Sequence, residues 1–224
     1  ENNYLGKGIK LDTNFTLSDE TSSGSISIFN PNYKNTDRTI KTKIERSVTD
    51  LMSASGYETN KTGFSIGTSY EQYKDLFFSP SISSYYESID TSAAASAQKK
   101  KQAGDFFESS FTYGVTLNKL NQNFQPSDGY KSSFFQSIPM ISDDYTLENT
   151  YKFSTYHELK DDMILSFNLF TKAVNTLSNK DVRLSKRVVI PGRRLRGFEK
   201  GKIGPKDNNE YVGGNYGSAV NIST

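Results

Sequence analysis

The sequence predicts an all-β fold: an antiparallel transmembrane β-barrel wall of about ten strands. Three observations predict it. Apolar residues recur with a period of two along most of the chain, many of these runs are longer than the strands of globular domains, and compact turns alternate with longer linkers.

The alternation begins at once. From Ile9 to Leu17, Ile9, Leu11, Phe15 and Leu17 share one parity while Lys10, Asp12, Asn14 and Thr16 take the other. Phe64, Ile66, Thr68 and Tyr70 then oppose Ser65, Gly67 and Ser69, and Phe111, Tyr113, Val115 and Leu117 oppose Thr112, Gly114, Thr116 and Asn118. Leu147, Tyr151 and Phe153 stand against Glu148, Thr150, Lys152 and Ser154. Met163, Leu165, Phe167 and Leu169 stand against Ser166 and Asn168. Weaker strands are expected over 22–30, 37–47, 75–88, 129–138 and 214–223. Lengths near ten residues suit a tilted strand crossing a bilayer.

The connections carry their own signal. Asn30-Pro31-Asn32-Tyr33, Glu71 to Lys74, Gln125 to Gly129 and Glu158 to Asp161 read as tight turns, whereas 48–61, Ala93 to Lys101 and 173–213 read as long linkers. Short turns at one end and long external loops at the other are the asymmetry of an outer-membrane barrel. Alternation by itself also fits a soluble sandwich or a lipocalin-like barrel. Composition decides between them. At 34% hydrophobic residues and a mean hydropathy of −0.64, the chain is poor in the aliphatic side chains a sandwich core needs. Its 14 Tyr and 15 Phe are nevertheless too many for a disordered chain. A polar lumen and an aromatic-rich outer parity explain both facts.

Chemistry is sparsely signalled. The chain has no cysteine and one histidine, which excludes disulfide scaffolds and cysteine-built metal sites and leaves His157 as a strand-end residue. Asp143-Asp144 and Asp161-Asp162 lie in turn-like contexts where carboxylates cap and solvate. No nucleophile elbow appears, and Gly197 to Ile203 fails the phosphate-loop pattern, so neither an enzyme nor a cofactor is expected. With 27 basic and 25 acidic residues, no global field invites nucleic acid. Lys99, Lys100 and Lys101 suggest a short helix decorating an external loop. The run from Arg183 to Lys206 is strongly basic, yet Val188, Val189, Ile190, Leu195, Phe198 and Ile203 thread through it. Such a loop is expected to fold and pack back against lumenal carboxylates rather than to bind nucleic acid.

Three motifs in that loop carry a resemblance: Leu195-Arg196-Gly197-Phe198, Ile203-Gly204-Pro205-Lys206 and Val212-Gly213-Gly214-Asn215. In order and spacing they resemble the long sixth external loop and following strand of the BamA family of outer-membrane protein assembly factors. Asn3 to Gly8, Phe29 to Tyr33 and the stretch from Asn118 to Gly129 resemble that family's third-strand entry and the turns after its fourth and eighth strands. The resemblance implies that residues 1–224 are a partial barrel domain from a sixteen-stranded parent, without its first and last strands or its periplasmic POTRA domains, and that 173–213 is an external loop folding toward the lumen. It further implies a bacterial outer-membrane location and, as partners, outer-membrane lipids, unfolded outer-membrane protein substrates and accessory lipoproteins bound through POTRA domains. In the tetrad, Arg196 would hold carboxylates of the lumen wall lying beyond Thr224, Gly197 would turn the backbone, and Phe198 would act as an apolar wedge. Two alternatives stay open: a related superfamily transporter, such as TamA or a two-partner-secretion pore, and a passive porin or receptor barrel.

Overall fold

The computed structural model describes every residue except 1, 2, 5, 20, 94, 162, 191, 196, 199–201, 208 and 209, and of 54, 55, 98, 193 and 210 only the backbone. Strands run as β1 (Lys10–Leu17), β2 (Thr21–Asn30), β3 (Thr39–Leu51), β4 (Tyr57–Tyr73), β5 (Leu76–Thr91), β6 (Gly104–Leu120), β7 (Gly129–Ser142), β8 (Thr146–Lys160) and β9 (Met163–Thr176). A two-residue pair, β10 (Lys206–Asp207) and β11 (Glu210–Tyr211), precedes β12 (Tyr216–Ser223). Ten strands form one sheet in the order β1 to β9 followed by β12, every neighbouring pair antiparallel. Short connections make this meander the natural topology, since antiparallel neighbours need only a turn between them.

Register sorts the two faces. Pairings such as Glu45↔Gly63, Gly63↔Tyr85 and Tyr85↔Glu108 put Lys43, Glu45, Lys61, Tyr85, Glu87 and Glu108 on one face, and Phe64↔Ser84 and Ile82↔Phe111 put Ile44, Phe64, Ile82 and Phe111 on the other. Burial then shows which face meets lipid. The buried apolar residues Ile89, Phe170, Val174 and Ala219 all lie on the first face, and Ala95, Val182 and Val188 belong to loops. Ile44 (61% exposed), Phe64 (49%) and Ile222 (68%) lie on the second. A soluble sandwich buries its apolar parity; this sheet presents it outward, as a barrel wall does to a bilayer.

Aromatic residues concentrate toward the ends of that outer face. Tyr70, Phe78, Tyr113 and Phe134 form an edge-to-face and tilted chain across β4 to β7, with ring centroids 6.0, 6.5 and 6.4 Å apart. Tyr130, Phe153 and Phe167 continue it at 6.3 Å spacings. Tyr86 and Phe107 pair near the opposite end. Rings at both rims with aliphatics between them are the girdles of membrane strands.

Inner-face glycines accommodate inner-face rings. A Cβ on Gly63 would lie 2.3 Å from Cδ1 of Tyr85, and one on Gly114 would lie 2.5 Å from Cε1 of Phe135, so each ring covers the bare backbone of its cross-strand glycine. The inner face is thus less purely polar than the alternation suggests.

Three sequence expectations need correction. The 48–61 linker is mostly strand: β3 and β4 pair through Thr49↔Thr59 and Leu51↔Tyr57, leaving a short helical connection, α1 (Met52–Ser55). The long loop runs over 177–215 because β9 extends to Thr176 and pairs with β12 through Ala173↔Tyr216. The asymmetry of connections is also uneven. At the loop end, 92–103 and 177–215 are long while 18–20 and 143–145 are short; at the turn end lie 31–38, 74–75, 121–128 and 161–162.

Candidate functional site: a clasped loop on the inner face

The 177–215 loop returns over the inner face, fixed at its base by apolar and backbone contacts. Val174 of β9 and Val182 and Val188 of the loop form a buried cluster. Val188 and Gly214 exchange backbone hydrogen bonds of 2.7 and 3.0 Å, and the Val174 N–H donates to the Asn215 carbonyl at 2.8 Å. Gly213 has φ +71°, and a Cβ there would sit 3.0 Å from the Val188 carbonyl oxygen, so both conformation and close approach require glycine.

Just inside this base lies a buried ion cluster. Arg183 (4% exposed) donates to both oxygens of Asp144, from Nε to Oδ2 at 2.5 Å and from Nη2 to Oδ1 at 3.1 Å. Its Nη1 reaches Glu87 Oε2 of β5 at 3.1 Å and its Nη2 reaches Glu108 Oε2 of β6 at 3.0 Å. The guanidinium lies over the Phe106 ring, 4.5 Å from its centroid. Lys186 pairs with Glu108, and Ser185 Oγ donates to Glu87 Oε2 at 3.0 Å. A planar fork with several fixed donors suits this task, which the single ammonium of lysine could not reproduce.

The electrostatics of Asp144 follow from this geometry. Burial pushes its carboxyl upward; the Arg183 hydrogen bond, the Lys186 and Arg183 charges and the Ser142 hydroxyl outweigh that and hold it below the ordinary aspartate range. The second long loop forms part of the same floor. Ser96 caps α2 (Ala97–Lys100) and also bonds Asp207, Gln102 Oε1 accepts from the Leu184 N–H at 2.8 Å, and Lys99 is buried with its ammonium 5.4 Å from the Tyr57 ring centroid.

The loop motifs divide. Pro205, Val212, Gly213, Gly214 and Asn215 come together at the loop base: the Val212 N–H donates to the Pro205 carbonyl at 3.0 Å, closing the β10–β11 hairpin, and Gly214 joins Val188. Leu195, Gly197 and Phe198 occupy a separate turn, where Gly197 takes φ +84° and the Phe198 N–H donates to the Leu195 carbonyl at 3.4 Å. Ile203 is exposed, and Gly204 takes φ +118°. Arg196 lies outside the described residues, as does Asp162. Phe198 is 61% exposed, so in this chain the loop's apolar anchors are Val182 and Val188 rather than the expected wedge.

Two readings of charge are overturned. Asp144 is no solvated turn carboxylate but the bidentate partner of Arg183, since the 143–145 turn closes directly over the loop base. The 93–101 tract is no surface decoration, because Lys99 is buried beside Tyr57 and the adjoining Gln102 bonds the returning loop. His157 stays at the surface beside Asp128, with its Nδ1 3.7 Å from Oδ1.

A ten-stranded antiparallel wall with an apolar outer face, aromatic rims and a clasped inner loop defines a transmembrane β-barrel protein. The profile of the Omp85 superfamily domain matches residues 3–221, and the chain belongs to that superfamily. It is 22% identical over 215 residues to the sorting and assembly machinery component 50 homolog of Bos taurus, covering 95% of this chain and 46% of that protein. The Homo sapiens homolog is 21% identical over the same share. The chain therefore spans about half the length of the curated relatives it matches. The crystal structure of BamA from Haemophilus ducreyi lacking POTRA domains 1-3 superposes with a TM-score of 0.82 at 16% identity, over 99% of this chain and 48% of that one. Membership in this superfamily, with these likenesses, places the chain in the wall of an outer-membrane β-barrel.

Proposed function

We propose that this chain is part of the membrane barrel of a protein that folds and inserts other β-barrel proteins into a bacterial outer membrane. The observation that carries the reading is the superfamily match over residues 3–221 on a wall whose long loop is clasped to its inner face. The Ile203-Gly204-Pro205-Lys206 and Gly213-Gly214-Asn215 context supports the bacterial assembly-factor branch over the secretion-pore and TamA branches. The work is physical and needs no covalent step, nucleotide or metal. Unpaired backbone at a barrel seam recruits a substrate strand, and burial of the substrate's apolar face in lipid drives insertion. Unfolded barrel proteins are the substrates, outer-membrane lipids the medium, and accessory lipoproteins the partners bound through POTRA domains. The clasp keeps the loop a fixed element of the lumen.

The test uses the full-length protein in phospholipid vesicles with a urea-unfolded barrel protein, following its heat-modifiable folding on gels. Folding several-fold faster than in empty vesicles is expected. An unchanged folding rate refutes the proposal, and a large steady conductance with an unchanged rate points to a passive pore.

A further inference from the structure

Two carboxamides stand on neighbouring strands inside the apolar belt of the outer face. The register carries the outer parity from Phe111, Tyr113 and Val115 of β6 to Ile138, Gln136 and Phe134 of β7, and Gln136 pairs directly with Asn149 of β8. Along β7, Gln136 lies between Phe134 and Ile138, with the exposed Ile141 beyond them toward the loop end. Along β8, Asn149 lies between Leu147 and Tyr151. Asn30, Asn60 and Asn175 share this parity but lie at or near strand ends, where water and headgroups solvate them.

The hydrogen bonds of the pair are incomplete. The Tyr113 hydroxyl donates to Gln136 Oε1 at 3.0 Å, and Gln136 Nε2 donates to Asn149 Oδ1 at 2.7 Å. Two carboxamides carry four N–H groups; one is bonded here, and the other three find no acceptor among the described residues. Hydrocarbon tails supply none, so the unmet donors stand where they are costly. Beside them the wall is built from small side chains. Asn149 faces Ala173 of β9, and on the adjoining outer rung the hydroxyls of Thr171 and Ser218 lie 3.2 Å apart. A neighbouring segment can therefore come close to the amides on that side.

From this juxtaposition we infer that the outer face of β7 and β8 is a contact surface between two copies of this protein in the membrane, Gln136 and Asn149 bonding the same two residues of the second copy. Symmetry argues the occupant. Two barrels inserted in the same direction are related by a two-fold axis only when that axis runs along the bilayer normal, and such an axis returns every residue at its own depth. The amides of one copy therefore meet those of the other with no further requirement. A carboxamide is donor and acceptor at once, so the pair is complementary to itself. An unrelated partner would need polar groups of its own at this depth, and an acyl chain has none. Ile138, Ile141 and Tyr151 surround the bonded centre with apolar contact. The inference rests on the outer face meeting the bilayer.

Energy transfer between donor-labelled and acceptor-labelled full-length protein, reconstituted together in vesicles of phosphatidylethanolamine and phosphatidylglycerol, tests it. Phe124→Cys carries the dye beneath the contact surface, because that exposed side chain lies in the turn joining β6 and β7; Asp37→Cys carries it on the turn joining β2 and β3, away from the surface. Transfer above the random-proximity level is expected, falling as lipid is added and stronger from the Phe124 label than from the Asp37 label. Combined Gln136→Leu and Asn149→Leu weakens association about tenfold, the scale of one or two hydrogen bonds between membrane segments. The exchanged pair, Gln136→Asn with Asn149→Gln, preserves it. Transfer at the random level, equal transfer from the two labels, or undiminished association of the double leucine variant overturns the dimer. Heat-modifiability reports the folding of each variant separately, and the comparison of labels decides without the amide variants. Labelled protein that is neither heat-modifiable nor protease-protected in vesicles overturns the bilayer-facing wall itself.

Discussion

Replacing Arg183 with alanine isolates the clasp. The substitution deletes four hydrogen bonds to three carboxylates. Glu87 and Asp144 are 5% and 3% exposed, so water cannot take the guanidinium's place without opening the structure. The cluster holds Arg183 and Lys186 against Glu87, Glu108 and Asp144, two positive charges against three negative; the variant leaves one against three, changing its net charge from −1 to −2. Removing one partner from such a buried arrangement costs about 3–5 kcal/mol. At about 1.4 kcal/mol per factor of ten, detached loop becomes more populated by roughly two to three and a half orders of magnitude. Amide hydrogen exchange of the full-length protein reads this directly at Leu184 and Val188, whose N–H groups are bonded in the docked loop. With the Arg183 hydrogen bond and charge gone, burial pushes the Asp144 carboxyl upward, so the variant's defect is smaller at about pH 5 than at about pH 8. A change of less than about tenfold at Leu184 and Val188, or an equal loss of protection throughout β5 and β6, refutes the clasp as a local device.

Other perturbations separate the remaining claims. In the unaltered protein, Asp144 titrates lower folded than unfolded, so its stabilisation is complete above the ordinary aspartate range and is lost as pH falls through the depressed folded value. Loop exchange rates corrected for intrinsic chemistry should therefore be flat from about pH 5 to 8. Gly217→Ala places a Cβ 2.6 Å from Cγ1 of Val188 and should loosen the loop base by about 1–3 kcal/mol, seen as faster proteolysis within 177–215. Gly114→Ala drives a Cβ against the Phe135 ring and should cost about as much, but as barrel stability in urea with the loop still docked. Phe64→Arg at mid-strand on the outer face should destabilise the barrel by about 2–4 kcal/mol in vesicles, whereas Ser65→Arg on the inner face should cost much less; equal losses would contradict the assignment of faces.

The wall was legible because register in a two-faced strand is written in its side chains. Phe111, Tyr113 and Val115 can share a face only in a strand, and the burial of the opposite parity beneath a loop is what gives that face a lumenal meaning. Boundaries were less legible. Residues 48–61 carry polar Thr, Asn and Glu that read as linker in isolation, and they pair as strand because Thr49↔Thr59 and Asp50↔Glu58 continue a ladder set by neighbours. The clasp was half visible. The basic run and its threaded apolar residues announced a packed loop, but nothing local distinguishes Arg183 from the other cations of the 183–206 run. Its acceptors come from three separate connections or strands, at Glu87, Glu108 and Asp144. The available signal was positional: Glu87 and Glu108 share the polar parity near the end of their strands that faces the long loops.

Placement gives the clasp its physical role. Substituting apolar residues of similar volume for a buried ion cluster is often neutral or stabilising, so net stability alone is a weak reason for Arg183 to stand where it does. An apolar plug, however, could seat in many positions along a wall already lined by Tyr85, Phe106 and Phe170. A guanidinium bonded to three carboxylates from β5, β6 and the 143–145 turn fits one position, because any slide of the loop by a residue breaks several charge-assisted bonds together. The base is fixed by Val182 and Val188, the depth by Arg183, and the 195–198 turn projects from a loop whose register on the wall is thereby set. Replacing the cluster as a whole, Arg183→Met and Lys186→Met with Glu87→Leu, Glu108→Leu and Asp144→Leu, should thus separate stability from placement: urea resistance of the barrel close to the unaltered protein, with the 177–215 amides exchanging faster. If those amides keep their protection, the apolar contacts alone set the loop's position and the ion cluster has no positioning role.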